Sequence, residues 1–112
     1  MRFHVCAVAA ALALAGCSSP GDLLKKDPAF FGHTNKPAQD YAQCVADSWR
    51  RQGEQVKMVK ISNGYDVVDE STLGISAALR VLQYADGKVE VRMATRSSFG
   101  SQNLVQSANL CM

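Results

Sequence analysis

The sequence predicts an α+β domain: an N-terminal helix, a four-stranded antiparallel sheet of two β-hairpins, and a C-terminal helix. Three observations carry this expectation. Apolar residues recur at helical spacing from Tyr41 to Trp49. Two pairs of β-rich segments flank Asn63-Gly64 and Asp86-Gly87, the dipeptides that most strongly signal a hairpin. A second helical stripe, Leu104, Ala108 and Cys111, closes the chain. Both helices are expected on one face of the sheet.

The elements follow in order over residues 37–112. Pro37 suits a first helical turn, with Asn35 as a candidate cap before it. Tyr41, Cys44, Val45 and Ser48 then fall on one side, with Trp49 beside them as a core residue. Gln43, Asp47, Arg50 and Arg51 lie toward the other side, and Gly53 suits the residue after a helix end. Val56–Ser62 and Tyr65–Glu70 form the first hairpin, Ser71–Gly74 a loop, and Ile75–Ala85 with Lys88–Arg96 the second hairpin. A two-residue Asp86-Gly87 turn sets Tyr84 opposite Val89, Leu82 opposite Val91 and Arg80 opposite Met93. Val89, Val91 and Met93 then form the buried face, while Ala77, Leu79 and Val81 point to the other, partly free face. Ser101 is a candidate cap for the last helix.

The first seventeen residues carry the sharpest signal. Arg2 precedes an apolar run of eleven residues, Val5–Ala15, which suits a signal-peptide core and is too short for a bilayer span of about 20 residues. The run ends in Leu14-Ala15-Gly16-Cys17, which resembles the lipobox of bacterial lipoproteins. The resemblance ends at Cys17. It implies cleavage after Gly16, removal of residues 1–16, and a covalent lipid on Cys17 as the membrane anchor. Ser18, where an Asp would favour inner-membrane retention, implies the outer membrane, on its periplasmic face. No other cofactor is expected.

Residues 17–36 read as a flexible tether, within the stretch Ser18–Asp40 that holds all three prolines, Pro20, Pro28 and Pro37. Leu23-Leu24 and Phe30-Phe31 are apolar pairs within it that could dock on the domain or the membrane. With Cys6 lost in the leader and Cys17 lipidated, Cys44 and Cys111 remain. An even pair in an oxidising compartment reads as a disulfide joining the two helices.

Charge and motif content exclude several functions. The chain has 112 residues, with 12 Lys+Arg against 10 Asp+Glu and 7% aromatic residues, which argues against a nucleic-acid partner. His33 is the sole histidine beyond the leader, so no His-based metal spacing exists. No nucleophile elbow or phosphate loop is present. Asp66, Asp69 and Glu70 cluster on the second strand and read as a solvated edge rather than a catalytic pair. No catalytic or metal-binding residue is therefore assigned.

The expected function is a non-enzymatic binding or accessory module of the cell envelope, such as an assembly partner or an immunity or inhibitor protein. The alternatives are a purely structural envelope lipoprotein and, last, an envelope hydrolase. An envelope protein partner is expected on the free sheet face, at Leu79, Val81, Arg92 and Arg96. Arg80, Lys88, Arg92 and Arg96 make the second hairpin basic, which suits an acidic partner or sugar phosphates.

Overall fold

The computed structural model describes residues 19–112. The expected leader, residues 1–16, and Cys17 lie outside the described residues. The elements are α1 (Pro20–Leu23), β1 (Phe30–Thr34), α2 (Ala38–Arg51), β2 (Val56–Ile61), β3 (Gly64–Ser71), β4 (Gly74–Gln83), β5 (Val89–Thr95) and α3 (Gln102–Leu110). The α+β class holds. The sheet, however, has five antiparallel strands, in the order β1-β5-β4-β3-β2, not four.

The extra strand comes from the predicted tether. Phe30-Phe31-Gly32-His33-Thr34 pairs with β5, Phe30 opposite Met93 and Thr34 opposite Val89. Phe30 packs on the core and Phe31 points the other way, 47% exposed. Five residues holding a Gly and lying between two prolines are too short to show a period, so pairing with β5 decides their conformation. Just before it, Ser19 caps α1, its Oγ accepting from the Asp22 N–H at 3.3 Å. Pro20 supplies the preset φ of a first helical turn. Leu23 and Leu24 are buried against Ala78 and Ala94, which face each other across β4 and β5. Two small side chains in register leave the shallow seat that α1 fills.

α2 buries Tyr41, Ala42, Val45, Ala46 and Trp49 on the opposite side of the sheet. Its N-cap is Pro37 itself, and no side chain caps it. Its C-terminus ends at Gly53, φ +89°, where the Gly53 and Glu54 N–H groups return to the carbonyls of Arg50 and Trp49. α3 packs on α2. The Tyr41 hydroxyl donates to the Ala108 carbonyl at 2.6 Å, Trp49 Nε1 to the Leu104 carbonyl at 3.1 Å, and Ser48 shares a 2.7 Å hydrogen bond with Ser107. The Cys44–Cys111 disulfide is formed, with the two Cα atoms 5.9 Å apart.

The two predicted hairpins form, but with other turns. In the first, Ile61 faces Gly64, so Ser62-Asn63 is the turn. This moves the register by two residues, which keeps every side chain on its expected face. Gly64 opens β3 instead, where a Cβ would overlap the Val81 carbonyl oxygen of β4.

In the second hairpin Gln83 faces Val89, Val81 faces Val91 and Leu79 faces Met93. The expected pairing is off by one residue. The Gly87 N–H donates to the Tyr84 carbonyl at 3.0 Å and the Tyr84 N–H to the Lys88 carbonyl at 2.9 Å. Gly87 has φ +87°. The loop is thus three residues, Ala85-Asp86-Gly87, with the glycine in the left-handed bulge position that follows a type I turn. One residue of slip exchanges the faces of β4. Ala77, Leu79 and Val81 join Val89, Val91 and Met93 beneath α2 and α3, all buried. A β-bulge at Asp69/Glu70 adds Ser76 on β4, and its Oγ donates to Asp69 Oδ2 at 2.9 Å.

Candidate functional site

The corrected register relocates the predicted partner surface. Leu79 and Val81 are fully buried in the core and can meet no partner. Arg92 lies on the outer sheet face, half-buried, and Arg96 is exposed at the end of β5. Cys17 lies outside the described residues, and Cys44 and Cys111 form the expected bridge.

The outer face is built by the side chains that alternate with the core set. From β1 it receives Phe31 and His33, whose rings meet edge to face with centroids 5.5 Å apart. Arg92, directly across from Phe31, places its guanidinium carbon 5.4 Å from the Phe31 ring centroid. A cation above an aromatic face gains from the ring quadrupole and keeps its outer N–H groups for a partner. On β5 Glu90 faces His33, and its carboxylate accepts from the Tyr84 hydroxyl at 3.4 Å. Between this row and α1 lies a cleft of about 400 Å³ lined by Leu24, Lys25, Arg80, Leu82, Glu90 and Arg92. It presents cations around an apolar floor.

Arg80 in this cleft is already engaged. Its Nε and one terminal nitrogen each donate to Asp66 at 2.8 Å, a bidentate pair across β3 and β4. Asp66 is only 5% exposed. The carboxylate raises the Arg80 pKa further, chiefly through that hydrogen bond. Arg80→Ala would strand a buried carboxylate and should destabilise the domain by about 2 kcal/mol. Replacing both partners by apolar residues, Arg80→Met with Asp66→Val, should recover much of the loss. Urea unfolding followed by Trp49 fluorescence measures both.

The acidic cluster read as one solvated edge is divided by the sheet. Asp66 points outward to Arg80. Asp69 points inward, 2% exposed, and Glu70 pairs with Lys57 at 3.1 Å. Neither Asp66 nor Asp69 is solvated, because each has a polar partner that compensates its burial. Sequence reasoning missed the partner of Asp69. Glu54, just past the end of α2, brings its carboxyl group close to that of Asp69. Only the helix stop at Gly53 could have suggested it, since no periodicity places a post-helix residue against a strand. The two carboxyl groups line a cleft of about 220 Å³ with Ser76, Arg96 and Phe99.

The hydrogen bond to Asp69, then burial, then like-charge repulsion raise the Glu54 pKa. A raised carboxyl pKa stabilises the fold at acid pH, and the contribution is lost as pH rises through the folded-state value. Against Glu54→Gln, which keeps a donor toward Asp69, the natural protein should therefore lose stability as pH rises from the ordinary carboxylate range through the raised Glu54 value. Solvent screening at Glu54 keeps the difference below about 1 kcal/mol. Urea midpoints for both proteins across that range test it; parallel curves would remove the pair from the account.

Among the described residues, no three His, Cys, Asp or Glu side chains converge as metal ligands. Among the same residues, no helix is long and apolar enough to cross a membrane. Compared with known proteins, the chain matches no protein-family model and no curated sequence.

Proposed function

We propose that this protein is an outer-membrane lipoprotein, anchored through Cys17, whose domain serves as a non-enzymatic binding or accessory module in the cell envelope. The observation that carries the reading is Leu14-Ala15-Gly16-Cys17 at the end of an eleven-residue apolar run behind Arg2. The Cys44–Cys111 disulfide suits the oxidising compartment to which such a leader delivers a protein. The outer sheet face supplies a binding surface: Phe31 and Arg92 stacked together, with His33, Tyr84 and Glu90 around them. Aromatic and arginine side chains are the residues most often found at the energetic centre of protein interfaces.

Growth of the producing bacterium with radioactive palmitate tests the anchor. The expected result is label on the protein that disappears in Cys17→Ala; an unlabelled protein refutes it. Crosslinking in intact envelopes tests the module. An envelope protein joined to the natural protein should be lost with Phe31→Asp or Arg92→Glu, both surface changes that leave the core intact. A crosslinked product indifferent to both would place binding elsewhere.

A further inference from the structure

The position of the anchor relative to the domain orients the whole molecule. Cys17 stands two residues before Ser19, the α1 N-cap, a length of chain that spans at most about 7 Å. Ser19 lines a cleft of about 290 Å³ at one end of the sheet, together with Asp22, Lys26, Leu73 and Arg96. Leu73 is the tip of the β3–β4 hairpin and is 84% exposed. Arg96 holds that tip, donating to the Leu73 carbonyl at 3.0 Å. Arg96 also lines the neighbouring cleft with Phe99, which is 90% exposed on the loop leading to α3. Leu73 and Phe99 are the two most exposed large apolar side chains among the described residues. Arg96 lines the clefts of both, and Lys26 lines the one that holds Leu73 and Ser19.

We infer that this end of the sheet rests in the bilayer interface, with Leu73 and Phe99 inserted among the acyl-chain ends and Lys26 and Arg96 on anionic headgroups. The inference depends on acylation of Cys17. A two-residue link leaves no room for the domain to stand off from the membrane. An exposed Leu or Phe held there gains by leaving water for the interface, while the long basic side chains keep their charges at headgroup level. The outer sheet face with Phe31 and Arg92 then stands beside the membrane, not beneath the domain, and stays open to a partner.

Leu110 provides the control. It is 73% exposed, at the C-terminal end of α3. There Thr34 bonds to Met112 and Lys36 to Cys111, at the end of the sheet far from Thr95 and Arg96. The full chain, processed in a bacterium and checked by mass for the lipid, is reconstituted into phosphatidylethanolamine–phosphatidylglycerol vesicles carrying brominated acyl chains. Leu73→Trp, Phe99→Trp and Leu110→Trp are compared, with the fully buried Trp49 as a constant background. The expected result is about twofold quenching of the tryptophan added at positions 73 and 99 and none at position 110. Unquenched probes at 73 and 99 in a lipid-bearing, vesicle-bound protein overturn the orientation and leave those tips to a protein partner. Equal quenching at 110 overturns it too. A processed protein without the lipid mass refutes the anchor itself, and the orientation with it.

Discussion

Replacing Cys44 and Cys111 together by serine is expected to lower the unfolding free energy by about 4 kcal/mol, from the chain entropy released by opening a closed segment of 67 residues. A domain of this size has a net stability of only about 5–15 kcal/mol, so the variant should be marginal at physiological temperature. The loss should appear as a lower urea midpoint by Trp49 fluorescence. Trp49 is a suitable reporter because it is fully buried and its Nε1 bonds to the Leu104 carbonyl of α3. If α3 detaches, Trp49 loses that acceptor and meets water. The hydrogen bonds from Tyr41 and Ser48 to α3 remain in the variant, so the expected state is a weakened fold, not an unfolded chain. Dithiothreitol should shift the natural protein as the double substitution does and leave the variant unmoved. A natural protein whose midpoint ignores dithiothreitol and matches the variant's would show that the bridge contributes nothing.

Leu79→Lys should abolish folding, while Leu82→Lys, three residues along the same strand, should cost no more than about 1 kcal/mol. Leu79 is fully buried on the inner face, opposite Met93 on β5 and Val67 on β3. An ammonium there has no partner, and burying it costs more than the domain's net stability. Leu82 lies half-buried on the outer face, directly across from Glu90, which would meet a lysine favourably. Circular dichroism and the yield of disulfide-bonded protein distinguish the two. The pairing implied by a two-residue Asp86-Gly87 turn predicts the reverse order, so the experiment reads the register directly.

The difference between those two pairings shows where sequence reasoning ran short. Lys88–Met93 alternates cleanly, so β5 and its buried face were readable from the residues alone. β4 reads Ala-Ala-Leu-Arg-Val-Leu, apolar on both faces, and supplies no alternation to choose between registers. The choice fell to Gly87, whose positive φ suits either a two-residue turn or a three-residue loop with a bulge. Leu79 and Val81 dropped out of the predicted partner surface for that reason alone, while Arg92 and Arg96 stayed outside the core. Phe31 and Arg92 were both visible as residues, but their contact depends on β1 joining β5, a pairing that sets Phe31 opposite Arg92 from the far end of the domain sequence and is invisible to any local pattern.

By itself the sequence determined the amphipathic stripes of α2 and α3, the presence of two hairpins and the pairing of Cys44 with Cys111. Each is a local signal or a count: a period, a turn dipeptide, an even number of thiols. Tertiary structure decided the rest. It recruited Phe30–Thr34 as a fifth strand, seated Leu23 and Leu24 on Ala78 and Ala94, and buried Leu79 and Val81. It also brought Glu54 and Asp69 into one cleft. All of these are contacts between segments distant in sequence, whose free energy comes from the apolar surface they bury together and the polar partners they supply to one another. Neither quantity exists until the segments meet.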